Sequence, residues 1–221
     1  MTYRIAEQFT SINGEAAYAG APAVFIRFPG CNLNCSYCDT AWVNEAHVPV
    51  TERSKEEILA YIKEQGVRCV TLTGGEPLLQ EGIAELIDFL SANGELRIEI
   101  ETNGSVSIAP YEGRRDNVCF TLDYKLAGSG MEAAMDCGNY ACLKPQDVIK
   151  FVVSDRSEIP RVKEIVDTYQ LTKKAQVFLS PVFGSIDPKV MVEDMLAYKM
   201  RDVRLQLQLH KIIWDPMQRG V

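Results

Sequence analysis

Residues 23–40, AVFIRFPGCNLNCSYCDT, join a strand-like run to a loop that carries three cysteines. The first six residues are mostly apolar, aromatic or β-branched, which is typical of a strand. Gly30 then permits a tight turn. Cys31, Cys35 and Cys38 follow at spacings that let three sulfurs point at one centre. This pattern predicts a metal site at the carboxyl end of a strand.

The three cysteines are compatible with two kinds of metal site. A structural zinc ion takes four ligands, commonly from a second Cys pair or a nearby His. The only candidate nearby is His47, and the spacing resembles no common zinc module. A cubane iron–sulfur cluster held by three thiolates leaves one iron open to a small molecule, which suits catalysis. The cysteines therefore favour a cluster, with a zinc-binding interaction module as the alternative.

Six further apolar runs have the composition of strands, and segments with helical spacing separate several of them. The first of these helices has a capping box, Ser54 with Glu57, and ends at Gly66. The second is expected to bury Leu79. The predicted strands cover residues 67–73, 96–102, 118–123, 147–153, 175–180 and 202–209, and the predicted helices cover 54–66, 78–92, 158–170 and 188–200.

Strands and helices alternate at a spacing that favours right-handed crossovers and a mostly parallel sheet with helices on its outer face. Residues 105–119 and 128–146 have no clear helical period, so the alternation is incomplete. We therefore expect an α/β fold, a partial, open β/α barrel rather than eight full repeats. Residues 1–221 suffice for one sizeable core and include no linker, which predicts a single domain.

The composition narrows the class of function. With 47% hydrophobic and 24% charged residues, the chain resembles an ordinary globular protein. Its net charge of −7 and the lack of a basic cluster argue against nucleic-acid binding. No apolar stretch approaches a membrane span, so we expect no membrane partner and a cytoplasmic location. Seven cysteines, three of them within eight residues, make a poor disulfide framework and favour reduced thiolates.

Three further suggestive sequences follow predicted strands. They are Gly-Gly-Glu-Pro at residues 74–77, Asn-Gly at 103–104 and Asp-Tyr-Lys at 123–125. Functional side chains of parallel sheets gather at the carboxyl ends of strands, so we expect these sequences and the cysteine loop to face one cleft. Without the cysteines, residues 74–77 would be interpreted as a simple strand-to-helix turn.

The cysteine loop and the Gly-Gly-Glu-Pro turn together resemble the two motifs of the radical S-adenosylmethionine superfamily. CNLNCSYC, residues 31–38, is similar to its CxxxCxxC signature, and TGGEP, residues 73–77, is similar to its second motif. The resemblance implies a [4Fe-4S] cluster whose open iron is chelated by the amine and carboxylate of S-adenosylmethionine. Gly74 and Gly75 would expose backbone to that cofactor, and Glu76 would offer an anionic partner for its amine.

Residues 7–31 resemble, within that superfamily, the 7-carboxy-7-deazaguanine synthase family. The family pattern S-I-Q-G-E-G, then Gly, F-I-R and G-C, is matched except that Asn13 replaces the Gln and Ala16 replaces the second Gly of the first block. QLHKIIW, residues 208–214, resembles the closing strand of the family, and His210 is expected to end that strand. The likeness therefore touches both ends of the chain as well as its middle.

The resemblance implies a set of site residues. Arg27 can also be argued on physical grounds, because a guanidinium grips a carboxylate with two parallel hydrogen bonds, and Glu15 can accept from the edge of a pterin. The simpler interpretations are a surface Arg27 on an edge strand and a Thr40 that caps a turn. The implied substrate contacts are Ile12, Asn13, Gly14, Glu15, Arg27 and Thr73, the metal ligands are Cys31, Cys35, Cys38 and, for Mg²⁺, Thr40, and the cofactor contacts are Tyr37, Cys38, Asp39, Gly75, Asp123, Tyr124, Lys125, Ser180, Pro181, Val182 and Phe183.

The resemblance also implies a reaction and its partners. A radical formed from S-adenosylmethionine would abstract hydrogen from C6 of 6-carboxy-5,6,7,8-tetrahydropterin. The ring would contract with loss of ammonia to give 7-carboxy-7-deazaguanine, and S-adenosylmethionine would be regenerated. An electron donor such as flavodoxin or ferredoxin and a homodimer are implied as well. A glycyl-radical activating enzyme is the nearest alternative, while Cys137 and Cys142 are too few for a second cluster.

Overall fold

Each of the seven predicted apolar runs contains a strand in the computed structural model, which describes residues 1–221. Three short strands were not predicted. The strands span Thr2–Ile5 (β1), Glu7–Ile12 (β2), Pro22–Phe28 (β3), Thr51–Ser54 (β4), Cys69–Gly74 (β5), Arg97–Thr102 (β6), Val118–Tyr124 (β7), Val148–Val153 (β8), Gln176–Pro181 (β9) and Val203–Leu205 (β10), and the helices span Lys55–Gln65 (α1), Ile83–Ser91 (α2), Ile159–Tyr169 (α3), Pro188–Ala197 (α4) and Leu209–Ile213 (α5).

Eight strands form one open sheet in the order β10-β9-β8-β7-β6-β5-β3-β2. Neighbouring strands are parallel except β2, which runs antiparallel to β3 at the edge. The end strands do not pair with each other, so the predicted partial barrel of mostly parallel strands is confirmed. β1 and β4 form a separate antiparallel pair.

Three of the four predicted helices, α1, α3 and α4, follow their predicted signals. α1 has the capping box of Ser54 and Glu57, and Gly66 ends it in the left-handed conformation. The predicted helix over residues 78–92 is divided, because left-handed Gly82 separates a 3₁₀ turn at Pro77–Leu79 from α2. Leu79 is half exposed on that turn, so its predicted burial was wrong.

The predicted strand over residues 202–209 ends at Leu205. Pro181 of β9 has no backbone N–H with which to continue the ladder, and the carbonyl of Gln206 instead accepts from the Ser180 hydroxyl at 3.0 Å. The chain then turns into α5. Residues 208–214 therefore do not form a closing strand, and His210 lies on a short helix rather than at a strand end.

Successive side chains alternate between the two faces of the sheet, and this period of two places the site. In β5, Val70 and Leu72 point outward into the apolar core that the helices cover, whereas Thr71 and Thr73 point inward. The other parallel strands repeat this pattern. The inward side chains nearest the carboxyl ends of β3, β5, β6 and β7 are polar and line the mouth of the open barrel; they are Arg27, Thr73, Glu101 and Asp123. None of the helices is long and apolar enough to span a bilayer.

Candidate active site

A cavity of about 370 Å³ opens at the carboxyl ends of the parallel strands. It brings the cysteine loop together with the residues that follow β5, β6 and β7, as the sequence predicts for one cleft. Most predicted site residues line it. They are Ile12, Gly14, Glu15, Arg27, Cys31, Cys35, Tyr37, Cys38, Asp39, Thr40, Thr73, Gly75, Asp123, Lys125, Val182 and Phe183.

Two predicted side chains lie away from this cavity. Asn13 is buried deeper in the barrel, where it accepts a hydrogen bond from Thr71 at 2.8 Å and donates to Glu99 at 3.4 Å. Tyr124 follows Asp123 and therefore points to the opposite face of β7, where its hydroxyl donates to Glu132 at 3.0 Å. The Tyr124 side chain cannot reach the cavity, so its predicted cofactor contact is restricted to the backbone.

Ser180 and Pro181 also lie behind the cavity wall, fully or almost fully buried. The Ser180 hydroxyl is within hydrogen-bond distance of the carbonyl of Gln206, at 3.0 Å, and of Oε1 of Glu15, at 3.3 Å. Ser180 thus contacts the predicted substrate site rather than the cavity itself.

Polar contacts hold the cysteine loop against its neighbours. The Cys31 sulfur accepts from the Leu33 amide at 3.4 Å and from the Asn103 side chain at 3.5 Å. Ser36 donates its hydroxyl to the Gly128 carbonyl at 2.6 Å, and the Tyr37 hydroxyl donates to the Val152 carbonyl at 3.3 Å. The loop is therefore anchored at its first cysteine and again between its second and third cysteines.

Soft thiolate donors suit iron, and the three thiols share the wall of one cavity. They are not drawn together into a compact ligand set, since no three Cys, His, Asp or Glu side chains lie close enough to form a metal site. Amide donors to Cys31 are the kind of contact that surrounds iron–sulfur clusters. The donor chemistry thus fits a cluster held by this loop.

The Gly-Gly-Glu-Pro turn packs directly beneath the loop. A Cβ on Gly75 would lie 2.1 Å from the Gly30 carbonyl oxygen and 2.7 Å from Cβ of Cys31, so a side chain at that position would displace the loop. Gly74 has a φ of +144° and its Cβ would lie 2.3 Å from the Phe28 carbonyl oxygen. Both glycines are required by close backbone approach.

Glu76 does not have its predicted role. Its carboxylate is fully buried and accepts from the Leu78 amide at 3.0 Å, the Thr102 hydroxyl at 2.9 Å and the Asn103 amide at 2.7 Å. The side chain does not line the cavity. Glu76 therefore ties the turn to the end of β6 and is not a free partner for the amine of a cofactor.

A buried charge network crosses the inner face of the sheet. Lys150 of β8 lies 3.1 Å from Glu15 and 3.7 Å from Asp123, and Lys125 lies 2.7 Å from the same Asp123 oxygen. Burial would lower the pKa of Lys150, but Asp123 and Glu15 outweigh it and hold that pKa well above its usual range. For Asp123, burial would raise the pKa, and Lys125 and Lys150 hold it below its usual range.

Lys150 also lines the cavity and was not predicted as a site residue. A charged residue within the apolar run DVIKFVV was the available signal. Glu7 was missed as well, although it lines the cavity and pairs with Arg27. It stands at the start of a weakly apolar edge strand that no strong pattern marks.

Two further carboxylates on β6 face the barrel. Thr73 donates to Glu101 at 2.9 Å, and Thr121 donates to Glu99 at 2.6 Å. Burial, reinforced by the nearby Glu101, raises the pKa of Glu99 to about 8. The sequence RIEIET contained this signal, because two acids alternate with buried apolar residues.

The C-terminal helix α5 closes one side of the site. A Cβ on Gly14 would lie 2.0 Å from Nδ1 of His210, so the imidazole packs directly over that glycine. Lys211 forms an ion pair with Asp39 at 2.9 Å. The helix thus contacts both the N-terminal loop and the end of the cysteine loop.

Comparisons with known proteins agree with this geometry. The Radical SAM superfamily matches residues 25–112. A 7-carboxy-7-deazaguanine synthase from Clostridium acetobutylicum is 52% identical over 221 residues, covering 100% of both chains. One from Chlorobaculum tepidum is 34% identical and covers 98% of this chain and 96% of its own. The crystal structure of QueE from Escherichia coli matches with a TM-score of 0.73 and 28% identity over 94% of each chain.

The open barrel and its cysteine loop make this chain a radical S-adenosylmethionine enzyme. Since relatives of that name match it over nearly its whole length, the chain belongs to the 7-carboxy-7-deazaguanine synthase family.

Proposed function

We propose that this cavity converts 6-carboxy-5,6,7,8-tetrahydropterin into 7-carboxy-7-deazaguanine with loss of ammonia, in the biosynthesis of queuosine and other 7-deazapurines. The observation that carries this proposal is the full-length match to relatives that bear the name of that reaction. The proposal is supported by one cavity that is lined by the three thiols and by the guanidinium of Arg27.

Cys31, Cys35 and Cys38 would hold the [4Fe-4S] cluster, and Tyr37, Asp39, Gly75, Asp123 and Lys125 would hold S-adenosylmethionine beside it. The backbone of residues 180–183 would contribute on the far side. When bound, the cluster and S-adenosylmethionine supply the radical that removes a hydrogen atom from the substrate. The protein orients the reacting atoms and excludes water.

Arg27 would bind the substrate carboxylate, and Glu15 would accept from the amino edge of the pterin. Arg27 lines the cavity with its Nε committed to Glu7, which leaves its terminal nitrogens for a carboxylate. Glu15 lies 3.1 Å from the Lys150 ammonium, and its carboxylate supplies acceptor oxygens at the cavity. The proposed substrate site is completed by Thr73, Ile12 and Gly14, which line the cavity, and by Asn13, which lies behind its wall.

Mg²⁺ would bind at Thr40, with substrate oxygens and water completing an octahedron. The Thr40 hydroxyl lines the cavity and lies 3.7 Å from the Cys38 sulfur. A cation held by Thr40 would supply positive charge for the substrate carboxylate.

We further propose one radical S-adenosylmethionine domain over residues 1–221, a homodimer, a cytoplasmic location and a reductant such as flavodoxin or ferredoxin. The reducing cytoplasm suits thiols that must stay free for metal.

The homodimer has a candidate surface on α4. Val192 and Leu196, one turn apart on that helix, expose apolar surface that a second copy could cover. Sedimentation of the purified protein tests the dimer.

Product analysis tests the reaction. The anaerobically reconstituted enzyme, given S-adenosylmethionine, a strong reductant and the carboxytetrahydropterin, should form the deazapurine, and Cys38→Ala should form none. A cluster-containing protein that cleaves S-adenosylmethionine but never yields the deazapurine would refute the proposal. It would then favour a glycyl-radical activating enzyme, whose substrate is a protein chain.

A further inference from the structure

Ala16 adopts a conformation that alanine rarely takes. Its φ is +60°, in the left-handed region that favours glycine. Its methyl group is buried against Val148 and Phe178, so the residue cannot relax outward without leaving this contact. The left-handed backbone of Ala16 therefore requires stabilising contacts from the rest of the fold.

The side chain of Gln206 makes two hydrogen bonds to the backbone of Ala16. Its Oε1 accepts from the Ala16 amide at 2.6 Å, and its Nε2 donates to the Ala16 carbonyl at 2.9 Å. One amide side chain therefore satisfies both backbone groups of the strained residue, in the way that a neighbouring strand would.

Gln206 is itself fixed by the sheet. Its amide donates to the Leu179 carbonyl at 2.8 Å, and its carbonyl accepts from the Ser180 hydroxyl at 3.0 Å. These contacts anchor its backbone to β9 at the point where the ladder ends. The side chain therefore reaches Ala16 from a rigid base.

Ala16 directly follows Glu15, whose carboxylate contacts Lys150 at 3.1 Å and Ser180 at 3.3 Å. On the other side of Glu15, the Gly14 carbonyl accepts from the Leu209 amide at 3.0 Å. Residues 14–16 are thus held at both ends by the segment that follows β10.

We infer that Gln206 is a positioning residue for the substrate site, which rests on the proposed role of Glu15 as a substrate contact. It does not line the cavity and acts through the Ala16 backbone. By holding Ala16 in the left-handed conformation, it sets where Glu15 and Gly14 meet the substrate. A residue that merely stabilises the fold would leave substrate binding by the folded enzyme unchanged.

Gln206→Met tests this, because methionine has similar length and loses both hydrogen bonds. We expect the KM for the carboxytetrahydropterin to rise about tenfold, the effect of losing two ordinary hydrogen bonds, with kcat changed much less. Iron content and the KM for S-adenosylmethionine should match the parent. Gln65→Met is the matched control, since it makes the same change at a glutamine that accepts a single surface hydrogen bond, from the Thr10 hydroxyl at 2.9 Å. It should behave as the parent.

Amide hydrogen exchange gives a readout that needs no turnover. In Gln206→Met the Ala16 amide should exchange at least tenfold faster, about the effect of losing its hydrogen bond. The Gly20 amide, which donates to Asn13 at 2.7 Å, should stay protected. Gln206→Glu keeps an acceptor for the Ala16 amide but loses the donor, and should fall between parent and Met variant.

An unchanged pterin KM in Gln206→Met, or unchanged Ala16 exchange, would overturn the inference. If the Met variant does not fold, the Glu variant decides by the same two measurements. If the parent makes no deazapurine, the proposed function fails, and the exchange measurement still decides whether Gln206 holds residues 14–16.

Discussion

Arg27 and Glu7 face each other across the antiparallel pair β2 and β3, with Nε of Arg27 3.0 Å from Oε2 of Glu7. Both side chains are largely buried at the cavity. The contact commits the Nε edge of the guanidinium to Glu7, and Arg27 lines the cavity. Glu7, on the edge strand β2, thus positions Arg27, the residue proposed to bind the substrate carboxylate.

Arg27→Ala should weaken binding of the carboxytetrahydropterin by about one to two orders of magnitude, because charge-assisted hydrogen bonds contribute roughly 1.5–3 kcal/mol. Arg27→Lys should restore binding only in part, since a point charge cannot replace a planar fork. Equilibrium binding to the reconstituted enzyme measures both. Slow cleavage of S-adenosylmethionine without substrate should persist, and an unchanged pterin affinity in Arg27→Ala would remove Arg27 from the substrate site.

Cys31→Ala, Cys35→Ala and Cys38→Ala should each abolish cluster binding, because three thiolates are the whole ligand set. Cys137→Ala and Cys142→Ala should leave iron and sulfide content unchanged. Neither lines the cavity, and the Cys142 thiol instead donates to Glu112 at 3.0 Å. Proportional loss of iron in either of these two variants would establish a second cluster.

Thr40→Ala should lose the stimulation of turnover by Mg²⁺, since the hydroxyl is the proposed protein ligand. Turnover with and without added Mg²⁺, in parent and variant, measures this. The variant should keep its iron, because Thr40 contacts a cluster cysteine but supplies no thiolate. An equal response to Mg²⁺ in both proteins would contradict the assignment.

Glu99 should make stability depend on pH. Its folded pKa of about 8 lies above its ordinary value of 4.5, so folding takes up a proton between these values. Its contribution to the free energy of unfolding is therefore present below about pH 4.5 and is lost as the pH rises through about 8. In Glu99→Gln the free energy of unfolding should decrease less between these pH values, by roughly 2–4 kcal/mol. Urea unfolding across this range measures it, and parallel pH profiles would count against a protonated Glu99.

The sequence predicts the parallel sheet and the cysteine loop because both rest on local patterns. An apolar run such as DVIKFVV favours a strand because it is short and rich in β-branched residues, and three closely spaced cysteines share one loop. The face of the sheet to which each side chain points follows from the two-residue period of a strand. This period places the side chains of Thr73 and Asp123 inside the barrel.

Contacts between distant residues could not be predicted in this way. Lys150 contacts Glu15, which lies 135 residues away in the sequence, and Gln206 contacts Ala16, which lies 190 residues away. Such pairs depend on strand order and on where a ladder stops, as it does at Pro181. The prediction of a strand over residues 208–214 was wrong for that reason. The backbone N–H that would have continued the ladder is missing at Pro181, which belongs to β9 and not to the predicted segment.

We propose that this cavity carries out the ring contraction with S-adenosylmethionine as a regenerated cofactor. The most direct test gives the reconstituted enzyme an excess of carboxytetrahydropterin and a limiting amount of S-adenosylmethionine. We expect more 7-carboxy-7-deazaguanine to form than the amount of S-adenosylmethionine supplied, and we expect the cofactor to be recovered intact. Complete cleavage of S-adenosylmethionine with no deazapurine, or with no more than one product per cofactor, would contradict it.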